Sequence, residues 1–98
     1  MSHEADPAPA ADPRWLAAPA AQLAWLRFGE DAVVYHRPSG KTHFLNAASA
    51  QLIGEVLAQP RSARSAAMRL ADGEVDDAYV ETVAGLLQRL SELGLVTR

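Results

Sequence analysis

The strongest local signal in the sequence is a turn at residues 37–40, Arg-Pro-Ser-Gly, between two runs rich in β-branched and aromatic residues. Pro38 presets φ at the second turn position, and Gly40 can take a positive φ at the fourth. These residues predict a type I turn closed by a glycine bulge. The run before the turn, residues 32–35, and the run after it, residues 41–45, are therefore expected to form an antiparallel hairpin.

The hairpin register decides which way the two histidines beside the turn point. If the strands pair as the turn predicts, the opposed residues are Arg37 with Lys41, His36 with Thr42, and Tyr35 with His43. Successive strand residues point to opposite faces, so this register directs the two histidines to opposite sides of the sheet. We expect His36 to be solvated and His43 to be partly buried, with no shared metal ion.

One further strand and three helices are predicted around the hairpin. A strand over residues 22–28 joins it through a turn at residues 29–31. Asn46 is a preferred N-cap for a first helix over residues 47–58, and Ser62 can cap a second helix that ends at Leu70. We predict an α+β domain of the winged helix-turn-helix type, in which a three-stranded antiparallel sheet is followed by three helices.

The third helix is predicted to be the longest and begins at a cap formed by Asp76 or Asp77. Gly94 is its natural C′ residue, and Leu95 can fold back on Leu90 in a Schellman cap. The helix has two adjoining apolar stripes, one of Val80, Val83, Leu87 and Leu90 and one of Tyr79, Leu86 and Leu93.

The chain is divided by composition into an arm and one domain. Residues 1–13 are rich in alanine, proline and acid and lack periodic hydrophobic residues, so we expect a disordered arm. Residues 14–98 form the predicted domain. Trp15 either pins the arm to this domain or packs loosely in a linker.

Composition excludes several classes of function. Cysteine is absent, which removes disulfides, thiolate nucleophiles and cysteine-ligated zinc. The arm holds three of the twelve acidic residues, so nine remain against nine basic ones, and the nearly neutral domain disfavours binding to nucleic acid by bulk charge. No apolar run is long enough for a membrane span, and the acidic start does not fit a secretory signal. We expect a cytoplasmic protein.

No catalytic constellation is visible among the polar residues. The serines lie outside any Gly-x-Ser-x-Gly elbow, and the glycines do not cluster into a phosphate-binding loop. The acidic run at residues 72–77 is typical of helix capping and a solvated loop rather than a cation site. We therefore predict no enzyme activity, no metal and no cofactor.

Basic residues offer one feature suited to an anionic partner. Arg61, Arg64 and Arg69 lie on or beside the second helix, but their spacing does not align them on one face, and an ordinary solvated face is the simpler interpretation. In a winged helix that reads DNA the third helix enters the major groove. Here that helix is acidic, which disfavours contact with phosphate.

An exposed sheet edge beside an amphipathic helix is the remaining candidate site. An extended peptide can add a strand to such an edge through main-chain hydrogen bonds, with its side chains in apolar pockets. The third helix has more apolar width than one core-facing stripe needs. The alternative is that both of its stripes belong to the core.

The residues of the hairpin resemble a known family. Residues 33–36 (Val-Val-Tyr-His), residues 39–46 (Ser-Gly-Lys-Thr-His-Phe-Leu-Asn), an alanine-rich helix and a long helix that closes in Leu-x-x-Leu-Gly-Leu-Val are similar to the PqqD-like peptide chaperones. The likeness is greatest to the branch associated with an HPr-kinase-related system and covers residues 15–96.

The resemblance implies a non-catalytic recognition element for ribosomally made precursor peptides. Such a domain holds the leader peptide as an added strand between its third strand and third helix, and presents it to a modifying enzyme. The implied peptide-binding residues are Thr42, His43, Phe44, Leu45, Tyr79, Val80, Val83, Ala84 and Leu87. Arg61 and Arg64 are optional residues for attracting an acidic leader or docking the enzyme.

Two other functions stay open at this level. One is a winged-helix regulator that binds DNA, with affinity that falls steeply as salt rises. The other is an accessory subunit that binds only a folded enzyme and no peptide.

Overall fold

The computed structural model describes residues 5–98, and the four residues that begin the expected arm lie outside them. The fold is α+β, with a three-stranded antiparallel sheet followed by three helices. The strands are β1 (Leu16–Ala17), β2 (Leu23–Phe28), β3 (Asp31–His36), β4 (Lys41–Leu45) and β5 (Val96–Thr97). The helices are α1 (Ala47–Gly54), α2 (Ala63–Ala71) and α3 (Asp77–Glu92), with 3₁₀ turns at Ala20–Gln22 and Val56–Ala58.

The main sheet has the strand order β2-β3-β4, as the sequence predicts. Gly40 has the positive φ expected of it, 70°. The predicted register is wrong by one residue, because the Gly40 N–H donates to the His36 carbonyl at 2.9 Å and the loop contains all of residues 37–40. The opposed residues are therefore His36 with Lys41, Tyr35 with Thr42, and Val34 with His43.

This register corrects the expectation for the histidines. Directly opposed residues share a face, and His36 and His43 lie on the face of the buried Val34. His36 is 7% exposed rather than solvated, and its Nδ1 lies 2.8 Å from the Ser39 hydroxyl. The two histidines thus occupy the same face of the sheet, and His43 is half-buried as expected.

The helices begin at the predicted caps. The side chains of Asn46, Ser62 and Asp76 accept hydrogen bonds from backbone N–H groups in the first turns of α1, α2 and α3. α1 ends earlier than expected, at Gly54, and a 3₁₀ turn takes the place of its last residues. Glycine is a weak helix former, and the next residue, Glu55, leaves helical geometry.

The C-terminus closes α3 and supplies a short strand that sequence reasoning did not foresee. Gly94 has φ 80°, and the Leu95 N–H donates to the Leu90 carbonyl at 3.0 Å, which is the expected Schellman cap. β5 then pairs with β1, so the two ends of the domain meet. Leu90 and Leu95 join the core between the helices and the inner sheet face.

The described part of the predicted arm is bonded to the domain. One carboxylate oxygen of Asp6 accepts from the Ser62 backbone N–H at 2.9 Å, and the other accepts from the Ser62 hydroxyl at 2.6 Å. The Arg14 guanidinium lies 3.6 Å from the same carboxylate. One acidic side chain of the arm thus reaches the positive end of α2.

Trp15 belongs to the core. It is 4% exposed, and its backbone exchanges two hydrogen bonds with Arg61, at 2.7 and 3.0 Å. The Arg98 guanidinium lies 5.4 Å from the centre of the indole ring. The tryptophan therefore anchors the chain between α2 and the C-terminal strand.

Candidate functional site

The outer edge of β4 is the first feature of the predicted site. Within residues 5–98, β4 pairs with β3 and with no other strand. Among residues 5–13 of the arm, Asp6 is bonded to Ser62 at the start of α2 rather than to β4. The N–H and C=O groups along the outer side of β4 are therefore available for pairing in the described structure.

The four candidate residues of β4 are divided between the two faces of the sheet. His43 and Leu45 oppose Val34 and Ala32 on the inner face, and Leu45 is buried in the core. Thr42 and Phe44 point to the outer face and are exposed. Of these four, only His43 combines partial exposure with the side of the sheet on which the helices lie.

The five candidate residues of α3 are divided in the same way. Val83 and Leu87 are buried in the core, so they support the helix and present no surface to a peptide. Tyr79 is exposed, and Val80 and Ala84 are half-buried. The fully buried residues of α3 are Val83, Leu87 and Leu90, while Val80 and Leu86 are partly buried and also pack against the core.

The C-terminal end of α3 lies beside the β3–β4 turn. A Cβ placed on Gly94 would stand 3.4 Å from Cε1 of His36, the last residue of β3. His36 opposes Lys41, the first residue of β4. The long helix is thus anchored near one end of the free edge, while it packs mainly on α2 and β5.

The side chain of His43 contains a buried nitrogen, Nε2, that lacks a hydrogen-bond partner within residues 5–98. Burial lowers the pKa of His43 below its ordinary value of 6.5, and the positive charges of His36 and Lys41 lower it further. The imidazole is therefore neutral at pH 7 and has one ring nitrogen that lacks a partner.

The two optional arginines have partners within the domain. The Arg61 Nε donates to the Val56 carbonyl at 2.9 Å, and its guanidinium also reaches the Ser65 hydroxyl. Arg64 forms an ion pair with Asp77, which joins the start of α2 to the start of α3 at the surface. Arg61 is consequently a structural residue, and Arg64 is engaged by Asp77 at the surface.

An apolar hollow of about 530 Å³ lies at the opposite edge of the sheet and was missed by sequence reasoning. It is lined by the inner-face residues Leu23 and Trp25 of β2 together with Ile53 and Leu57. The Arg27 guanidinium lies 4.6 Å from the centre of the Trp25 ring. Among residues 5–98 this edge of β2 is also without a partner strand, so the sheet offers two candidate edges.

The outer face of the sheet was also missed as a feature. It carries four large exposed side chains, Leu26, Phe28, Tyr35 and Phe44. The sequence of β2 already indicated an apolar outer face, because large apolar residues point to both sides of this strand. Leu23 and Trp25 point inward, and Leu26 and Phe28 point outward. A strand with one solvated face is expected to alternate apolar and polar residues.

Other chemical features of the described structure are few. Residues 5–98 contain no group of three or more His, Asp or Glu side chains placed to hold a metal ion. In the same range, no helix has the length and apolar character that crossing a bilayer requires. Comparisons of the chain with family models, with curated proteins and with solved structures gave no match.

Proposed function

We propose that this protein is a peptide chaperone of the PqqD-like type, which binds the leader of a ribosomally made precursor peptide along β4. The observation that carries the proposal is the outer edge of β4, which has no partner strand within residues 5–98. An added strand gains main-chain hydrogen bonds there, and the pairing depends little on the sequence of the guest. The same proposal assigns the fold to the winged helix-turn-helix class.

Side-chain specificity in this proposal comes from residues of β4 and α3 that remain at least partly accessible. These are His43 on β4 and Tyr79, Val80 and Ala84 on α3. His43 is half-buried, so part of its ring can contact the guest peptide, although its Nε2 is itself buried. Leu45, Val83 and Leu87 contribute indirectly, since their burial holds β4 and α3 in position.

The proposed role is binding and presentation without catalysis. The bound leader holds the attached core peptide for a modifying enzyme, which supplies the chemistry. Precursor peptides are made by ribosomes, so the proposed place of action is the cytoplasm. Acidic side chains at Asp77, Glu81 and Glu92 on α3 favour a peptide over nucleic acid as the ligand of this helix.

An NMR titration with a synthetic leader peptide, from a precursor encoded beside this chain, tests the proposal. We expect amide shifts in residues 41–45 and 79–84, with weak dependence on salt. Shifts confined to residues 23–28 would move the site to the β2 edge and its apolar hollow. An unchanged spectrum at millimolar peptide would refute the proposal, as would binding to duplex DNA that weakens steeply with salt.

A matched pair of α3 variants tests the location of the peptide. Ala84→Arg adds a long charged side chain on the accessible apolar side of the helix, and we expect it to weaken leader binding about tenfold or more. Thr82→Arg makes the same change in charge two residues earlier, which turns it about 200° around the helix. It should leave binding unchanged, and equal effects of the two variants would contradict the proposed contact between the peptide and this side of α3.

A further inference from the structure

The outer sheet face consists of alternate residues from all three strands. They are Ala24, Leu26, Phe28, Asp31, Val33, Tyr35, Thr42 and Phe44. Phe44 is 73% exposed, Leu26 60%, Phe28 53% and Tyr35 40%. No described element of the chain covers these four side chains, although large apolar groups of a solvated monomer usually stand singly.

Charge is almost absent from this face. Asp31, at the end of β3, is the one acidic or basic residue among the eight positions. The inner-face set of the same strands contains Arg27, His36, Lys41 and His43. The side of the sheet that points away from the helices is therefore the less polar of the two, which is the reverse of the usual arrangement and favours an apolar partner.

We propose that the outer sheet face is the interface of a homodimer, in which two copies pack their sheets face to face. The central cross-strand row of the face is Leu26–Val33–Phe44, because Val33 opposes Leu26 on one side and Phe44 on the other. In this dimer the two-fold axis lies between the sheets and runs parallel to β3, so Val33 of one copy faces Val33 of the other. The rotation exchanges the two ends of the row, which places Leu26 of each copy opposite Phe44 of the other. Each Phe44 then packs on Leu26 of the other copy, so the symmetric dimer contains this aromatic–aliphatic contact twice.

The exposed area is sufficient for a weak dimer of this kind. At about 200 Å² for each fully exposed large side chain, the four exposed fractions amount to about 450 Å² of apolar surface on one copy. If this area is fully covered, two copies bury about 900 Å² from these side chains alone, and Val33, Ala24 and Thr42 bring the interface past the ~1,000 Å² that is the lower limit for specific contacts. This dimer leaves the outer edge of β4 free and does not depend on peptide binding.

Sedimentation velocity at increasing concentration, up to about 1 mM because an interface of this size is weak, tests the proposal. We expect a reversible monomer–dimer equilibrium for the wild type. Leu26→Glu and Phe44→Lys each place a charge in the apolar interface and should raise the dimer dissociation constant about tenfold or more. Leu93→Glu changes an apolar residue of similar exposure outside the sheet and should leave the equilibrium unchanged.

Mixing the two interface variants tests the register. A mixed dimer contains one wild-type Leu26–Phe44 contact and one contact between the new carboxylate and the new ammonium group. We therefore expect ¹⁵N-labelled Leu26→Glu protein to bind unlabelled Phe44→Lys protein about tenfold more tightly than either variant binds itself. A monomeric wild type, dimers that survive both substitutions, or folded variants that fail to recombine would each overturn the proposal. Circular dichroism verifies the fold of every variant.

Discussion

Substitution of Asp6 tests whether the arm is bonded to α2 in solution. Its carboxylate accepts two hydrogen bonds from Ser62 and lies near Arg14, at the positive end of the helix. Removal of a capping side chain typically costs about 1 kcal/mol, and hydrogen bonds to a charged group somewhat more. We expect Asp6→Ala to lower the free energy of unfolding by about 1 to 2 kcal/mol and Tm by about 5 to 10 °C.

Urea and thermal unfolding at pH 7 give both quantities, and Asp12→Ala is the matched control. Asp12 lies in the same arm with an exposed side chain, so its substitution removes the same charge without loss of a contact to α2. A double-mutant cycle between Asp6→Ala and Ser62→Ala should give a coupling of about 1 kcal/mol. Equal stabilities of Asp6→Ala, Asp12→Ala and wild type would refute the docked arm and support the disorder expected from composition.

The pH dependence of this effect has a definite sign. Burial acts to raise the pKa of Asp6, but hydrogen bonds from Ser62 and Ala8 and the charge of Arg14 outweigh it, and the net effect lowers the pKa below 3.8. The stabilisation by the Asp6 carboxylate is therefore fully present at pH values well above 3.8, and it is lost as the pH falls through the lowered pKa of the folded state. The difference between wild type and Asp6→Ala should be constant above about pH 5 and disappear in strong acid.

Three further predictions concern the core, the helix cap and the unpartnered histidine. Leu45→Asp buries a carboxylate at a core position and should abolish the cooperative transition seen by circular dichroism, whereas retained folding would contradict the inward orientation of Leu45. Gly94→Ala strains a residue at φ 80° and should cost about 1 to 2 kcal/mol in urea unfolding, while Gly85→Ala, an exposed helical position with open space, should stabilise by up to about 1 kcal/mol. The pKa of His43, measured by NMR, should lie below 6.5, and a value at or above 6.5 would contradict its burial. Because the unfolded chain then binds the proton more readily than the folded one, protonation of His43 should lower the free energy of unfolding as the pH drops below 6.5.

Much of the local structure could be predicted because its causes lie within a few residues. The caps at Asn46, Ser62 and Asp76 and the Schellman closure at Gly94 each depend on one side chain or one φ angle and on backbone groups nearby. The three strands and three helices follow from the same kind of signal, and so does the α+β class. The contact between Asp6 and Ser62 could not be predicted in this way, because it spans 56 residues and leaves no periodic trace in the sequence.

The candidate site was less accessible to sequence reasoning, since it depends on orientation. A loop of four residues instead of three moved the register of β3 and β4 by one and brought His36 and His43 to the same face. The nine residues implied by the resemblance fall into three groups: core residues Leu45, Val83 and Leu87, outer-face residues Thr42 and Phe44, and residues that are at least partly accessible, namely His43 on the inner face of β4 and Tyr79, Val80 and Ala84 on α3.

The sequence by itself determined where the three helices begin and where the three strands of the main sheet lie, because capping, turn formation and residue periodicity act over a few residues of chain. Only the tertiary structure decided which faces are buried and which edges remain open. His36 is buried because Gly94 packs on it from the far end of the chain, and β1 exists because β5 pairs with it. Such contacts join residues that are distant in sequence, and their free energy is gained only when the whole domain closes.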